Sequence, residues 1–449
     1  MFGYRIKKQY RTKVRLSCMG CLTFVLLVTT SICRCTCTAC SGTTNDSINA
    51  QQNKENIHIV HLNDTLTNAL SDQPELHGMD SIMRRYLKRW EINGAQLAIS
   101  RNDSLLYARG FGFADVQKQQ PMEPSYIMRM ASVSKLVTAV GIMKLRDMGK
   151  LRLDEKVFGP NGVLNDTIYT HAIRDKRHFD ITVEQLLRHT AGFNNRYGDP
   201  IFSTRYIMQQ NHLTTPPDHR TLLQIVLQRK LGYTPGTMKH YCNIGYTLLS
   251  LIIEKRTGMS YEKFMQKYVL EPAGCYDFHI AGNYLKDRRP NETVYYMHSS
   301  SEPAQEFNNS GQLVERCYGE NDITTALGAG AWTASAAELC RLVAAIDGDP
   351  TLPDVISDEA VKMMTEEMPD HQYSLGWNYT PRGGRWIRTG SLVGTSAIVL
   401  RYPDGECWVF ITNTSTWKGH EFSKDTIALF EKLRQRFGNK MPKRNLFVK

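Results

Sequence analysis

Strand-forming sequence is concentrated at the two ends of this chain, and that placement constrains the fold more than any other feature. Near the start, AQLAISRND and SLLYARGFGFADV read as two strands of a hairpin that turns at Asn102-Asp103. Near the end, RWIRTG, TSAIVLRY and ECWVFITNT read as three more, the last two joined by the turn Pro403-Asp404-Gly405. Between them, from about residue 150 to 345, the chain reads as helix and loop. The two ends therefore have to supply one antiparallel sheet, with a helical lobe inserted. Terminal helices flank it. MDSIMRRYLKRW has helical spacing of Ile82, Met83, Tyr86, Leu87 and Trp90, and SKDTIALFEKLRQRF closes the chain with Ser423 or Asp425 as N-cap. The expected class is α+β, one domain of two lobes spanning residues 76–449.

What precedes that domain reads differently. A basic stretch up to Arg15 leads into LSCMGCLTFVLLVTTSIC, which carries no charge, the pattern of an export signal. Its apolar run is at the lower limit for a spanning helix, so a retained anchor is an alternative to cleavage. Ala39-Cys40-Ser41-Gly42 resembles a bacterial lipoprotein cleavage site, which makes Cys40 the lipidation candidate, although Cys37 stands where leucine is usual. Residues 1–40 are thus expected to direct export to the periplasm or the membrane, and residues 41–75 to be a polar linker. His58 and His61 within it lack a third ligand at metal spacing and are read as linker.

The charge of +11 at first suggests nucleic acid as a partner, but its distribution argues otherwise. Residues 1–40 hold seven basic residues and no acids, leaving 48 basic against 44 acidic in the remainder. The rest of the excess sits partly in EKLRQRFGNKMPKRNLFVK, read as a solvated basic tail. No nucleic-acid footprint remains. Six of the eleven cysteines lie in the leader, and Cys242, Cys275, Cys317, Cys340 and Cys407 are too scattered for a disulfide framework. Without C-x-x-C outside the leader or any H-x-H-x-D pattern, no metal or cofactor is implied.

The chemistry is concentrated in three short motifs. S-x-x-K occurs at Ser132–Lys135, Ser260–Lys263 and Ser415–Lys418. The second opens a charged helix face and the third lies in a polar loop. Ser132 begins an apolar helix instead, where a residue three positions on shares its face and burial can lower a lysine pKa. Ser134 points to another face. Tyr241 and Asn243, two apart, project together from extended backbone, and a nearby cation such as Lys135 would make Tyr241 a usable proton shuttle. Arg388-Thr389-Gly390-Ser391 lies on a predicted strand, where glycine allows a substrate backbone to come close. The other R-T-G, at Arg256, ends a helix with Gly258 as its cap.

In this order, these motifs resemble the serine β-lactamase and penicillin-binding superfamily, in the branch of class C β-lactamases, D-alanyl-D-alanine carboxypeptidases and related esterases. The segments GAQLAISRNDSLLYARGFGFADV, ITVEQLLRHTAGF, EPAGCYD, GAGAWTASAAELCRLV and YSLGW strengthen the likeness, which covers about residues 80–435. The resemblance implies a β-lactamase/transpeptidase-like fold and an acyl-enzyme on Ser132, with Lys135 and Tyr241 sharing the acid and base work. Asn243 would hold the substrate amide, and the backbone N–H groups of Ser132 and Ser391 would form the oxyanion hole. Arg388 replaces the usual Lys or His, so it would bind a substrate carboxylate rather than relay protons, the alternative being a salt bridge within the sheet and no substrate role. The partner implied is a small molecule or peptide, peptidoglycan-derived among others. An esterase of the same fold and a non-catalytic cell-wall or β-lactam binder are the alternatives.

Overall fold

Asn102 and Asp103 both adopt left-handed backbone, with φ of 46° and 56°, as a two-residue hairpin turn requires. In this computed structural model, residues 61–369 and 372–448 are described, and the leader with Cys40 lies outside them. The turn joins β1 (Gly94–Arg101) to β2 (Ser104–Asp115), and β3 (Gln120–Pro121) pairs with the far end of β2. The three late strands are β4 (Trp386–Leu392), β5 (Thr395–Arg401) and β6 (Glu406–Thr412). The sheet order is β3-β2-β1-β6-β5-β4, antiparallel throughout. Its two halves meet at β1 and β6, in register from Ala95 opposite Thr412 to Arg101 opposite Glu406.

The alternation of side chains divides the sheet into two buried faces. Leu97, Ile99, Tyr107, Ile398, Leu400, Trp408 and Phe410 face the terminal helices α1 (His77–Arg89) and α6 (Phe422–Phe437). Ala98, Ala397, Val399, Val409 and Ile411 face the helical lobe. In that lobe α2 (Ser134–Asp147) is buried nearly all round, with Leu136, Val137, Val140, Ile142 and Met143 inaccessible to solvent. Helices α3 (Val183–Leu187), α4 (Asn243–Thr257) and α5 (Ala336–Ala344) belong to the same core. Small strands occur inside the lobe as well, as a ribbon of Met128–Arg129, Trp332–Ala334 and His279–Ile280.

Three local expectations are corrected. Residues 61–75 are not a free linker: Leu62, Leu66 and Ser71 are buried against the domain. The Ser71 hydroxyl accepts from Ala108 N–H, and Asn68 Oδ1 accepts from Gly110 N–H at 2.7 Å, so polar side chains cover backbone donors of β2. His61 stacks on Tyr276. The C-terminal tail is not simply solvated either, because Leu446 N–H donates to Leu105 O and Phe447 is buried. Neither Ser423 nor Asp425 caps α6. Its N-cap is Glu421 without a side-chain hydrogen bond, while Asp425 takes an ion pair from Lys418.

Asn68 also donates from Nδ2 to Met122 O at 2.8 Å, so Asn68→Ala strands a donor and an acceptor together. It is expected to lower stability by about 2 kcal/mol, read as a shift of the chemical denaturation midpoint. A true linker residue would show no shift.

Candidate active site

The site forms where β4, the edge strand of the sheet, passes the start of α2. The turn Ala131–Val133 leads into α2, and Ala131 holds a left-handed φ of 48° that is rare for a residue with a side chain. Gly390 on β4 packs directly on this turn. A Cβ there would lie 2.4 Å from Met130 O and 2.9 Å from Ser132 N. The glycine is thus needed for close approach of the protein's own backbone, and it also lines the same cavity as Ser132.

Ser132, Tyr241 and Lys135 converge. Tyr241 Oη is 2.8 Å from Ser132 Oγ, and Lys135 Nζ is 3.2 Å from the same oxygen. Lys135 is fully buried, and its ammonium also donates to Asn243 Oδ1 at 2.6 Å and to Ala329 O. Its nitrogen lies 4.8 Å from the centre of the Tyr241 ring. Ser134 points away, its hydroxyl accepting from Trp332 N–H. Ser132, Tyr241, Asn243, Asn378, Thr389, Gly390 and Ser391 line one cavity of about 300 Å³, which extends toward Ile398, Phe410 and the start of α6. None of its lining residues is Lys, Arg, Asp or Glu.

Burial pushes the Lys135 pKa down, and the Arg388 charge pushes the same way, against the opposing pull of Tyr241 and Asp199. For Tyr241 burial acts to raise the pKa. The charges of Lys135 and Arg388, with hydrogen bonds from Lys135 and Ser132, outweigh it and hold the phenol below its usual range. The arrangement can therefore take a proton from Ser132 Oγ and return it more readily than an ordinary phenol would.

Arg388 is placed differently from its sequence expectation. It is buried and turned inward, its Nε donating to Ser132 O at 2.8 Å and its Nη2 to the same carbonyl. It does not line the cavity, so a substrate carboxylate has no access to it by this geometry. Asn243 opens α4 and lines the cavity while both ends of its amide are held by the protein: Oδ1 meets Lys135 and Nδ2 donates to Asp199 Oδ2 at 2.7 Å. Thr389 donates from its backbone N–H to Asn378 Oδ1 at 2.7 Å. Asp199, Asn378 and the Ala329 carbonyl carry no motif of their own and were not found from sequence. Asn378 directly follows the family-like segment YSLGW, which was the one available signal.

The other motif copies are structural. Ser260 precedes a short helix, Ser415 Oγ accepts from Gly394 N–H, and Gly258 ends α4 in a left-handed conformation.

Residues 79–432 match the Beta-lactamase family. The chain belongs to that family. Among curated relatives of this beta-lactamase-family chain, penicillin-binding protein 4* of Bacillus subtilis is 25% identical over 332 residues, 71% of this chain and 67% of that protein. Protein flp of Staphylococcus aureus is 28% identical over 199 residues, 43% of this chain but 36% of its own length. Among solved structures, the D-amino acid amidase of Ochrobactrum anthropi SV3 in complex with L-phenylalanine amide aligns with a TM-score of 0.62. It is 17% identical, covering 82% of this chain and all of that one. The octameric penicillin-binding protein homologue of Pyrococcus abyssi aligns at 0.56 with 20% identity, over 80% of this chain and 76% of that one. These structural likenesses establish the β-lactamase/transpeptidase-like fold.

Arg388→Lys keeps the charge but replaces a planar two-donor fork with a single point of attachment. Hydrolysis of carboxylate-bearing and neutral esters should fall together, by about tenfold, the loss of one charged hydrogen bond. A selective loss for carboxylate-bearing substrates would assign Arg388 to the substrate instead.

Proposed function

We propose that this protein is a serine hydrolase that cleaves amide or ester bonds through an acyl-enzyme on Ser132. The observation that carries the reading is the placement of Ser132 Oγ within hydrogen-bond reach of both Tyr241 Oη and Lys135 Nζ inside one cavity. In this mechanism the Tyr241 phenolate, stabilised by Lys135 and Arg388, accepts the Ser132 proton as Oγ attacks the substrate carbonyl. The backbone N–H groups of Ser132 and Ser391 take the developing oxyanion. Tyr241 then hands the proton to the departing amine or alkoxide, and the same groups activate the water that releases the acyl chain.

No Lys or Arg lines the cavity and Arg388 is turned inward, which leaves His420 as the one lining side chain able to carry a positive charge and favours uncharged esters and amides over substrates ending in a free carboxylate. The D-amino acid amidase among the structural neighbours supports amides as one such class. A fluorophosphonate should label the wild type and leave Ser132→Ala unlabelled. Its rate should rise with pH through the lowered Tyr241 pKa and level off above it, because the reactive form is deprotonated. Labelling that persists in Ser132→Ala would exclude this nucleophile.

We further propose, from the leader sequence, that the protein is exported, and either held at the membrane through lipid on Cys40 or a retained anchor or released into the periplasm by simple cleavage. No helix among the described residues is long and apolar enough to cross a membrane. Mass spectrometry of the mature N-terminus is expected to find diacylglycerol on Cys40, and an unmodified, uncleaved leader would point to the anchor.

A further inference from the structure

His189 has no part in the proton transfers described, yet it touches the Tyr241 segment in three ways. It follows α3 with a left-handed φ of 56°, unusual for a side chain of this size. From that conformation its carbonyl accepts from His240 N–H at 2.8 Å, and its Nδ1 accepts from Cys242 N–H at 3.2 Å. The two bonds bracket Tyr241. Between them the imidazole lies against the tyrosine ring, with centroids 4.5 Å apart and planes inclined by 31°. Tyr246 and Tyr373 lie against the same imidazole, at 5.1 Å and 5.0 Å.

We infer that His189 is the positioning residue for Tyr241 and Asn243, fixing the backbone between them through the Nδ1 acceptor. The choice of side chain supports this. Packing alone would be served by an apolar ring, whereas imidazole brings a buried Nε2 that has no hydrogen-bond partner among the described residues. That cost is accepted only if Nδ1 is needed. An Nδ1 acceptor requires the neutral imidazole. Burial, followed by the charges of Lys135 and Arg388, holds the His189 pKa well below its ordinary value, so the acceptor persists throughout the neutral range. A neutral ring also keeps a third cation away from the Tyr241 phenolate.

The inference rests on Ser132 as the nucleophile, and its test uses fluorophosphonate labelling of the intact protein, resolved into saturation constant and maximal rate. His189→Ala should lower the maximal rate by at least about tenfold, the scale of a small misplacement, with the saturation constant changed less than threefold. His189→Phe keeps a ring without the acceptor and should be as slow. His189→Asn tolerates the left-handed backbone and offers Oδ1 close to the Nδ1 position, so it should recover most of the rate. Thermal melting of each variant separates slow labelling from unfolding, and His189→Asn carries the test if the other two do not fold. Wild-type rates in His189→Ala, or His189→Asn as slow as His189→Ala while folded, would overturn the inference. No labelling of the wild type would instead overturn the nucleophile assignment.

Discussion

Two cations, Lys135 and Arg388, are buried side by side in this structure, and no carboxylate among the described residues makes an ion pair with either. Burying an unpaired charge is expensive, and neutral dipoles compensate here. The three donors of Lys135 are taken by a hydroxyl, an amide oxygen and a backbone carbonyl, while Arg388 directs two donors at one carbonyl. Dipoles satisfy hydrogen bonds without cancelling charge, so a positive field remains, and Tyr241 is the acidic group that sits in it. A carboxylate in direct contact would cancel the Lys135 charge and weaken the field at Tyr241. Asp199 stays one residue removed, linked to the lysine by hydrogen bonds only through the Asn243 amide, so its charge pulls on Lys135 from a distance.

That field depends on the fold closing correctly. Lys135 comes from the helical lobe and Arg388 from the sheet edge, and the two are brought together because strands from both termini complete one sheet. The register of β4 on β5 sets Arg388 opposite Val399, whose side chain faces the helical lobe. A slip of one residue would send the guanidinium to the opposite face, toward α6, and put a side chain where Gly390 must be. Formation of the sheet and assembly of the site are therefore one event.

Much of this was legible before the structure. The hairpin turn, the three late strands and the terminal helices follow from local periodicity, and local context separated Ser132 from Ser260 and Ser415. Periodicity reports which face a residue occupies, and not which partner it meets. It placed Arg388 on a strand but could not show that a backbone carbonyl, rather than a ligand, would receive it. Asn68 and Ser71 read as linker because their polar side chains give no apolar pattern, although those side chains make the contacts to β2. Asp199 meets Asn243 across 44 residues of sequence, a separation that no local pattern encodes.

The turn that carries Ser132 shows why arginine suits position 388. Ala131 is held in a left-handed conformation that an L-residue leaves readily unless its neighbours prevent it. Met130 N–H is fixed to Trp332 O, and Val133 N–H to Met130 O, which anchors the turn at its start and closes it. The Ser132 carbonyl between these anchors is held by the guanidinium alone among the described side chains, through a planar pair of donors that fixes direction as well as distance. A lysine would supply the same charge to Tyr241 but only one side-chain donor to the carbonyl, beside the Ser134 N–H that also reaches it. The two tasks, lowering the phenol pKa and fixing the nucleophile's backbone, are thus met by one side chain only when that chain is arginine.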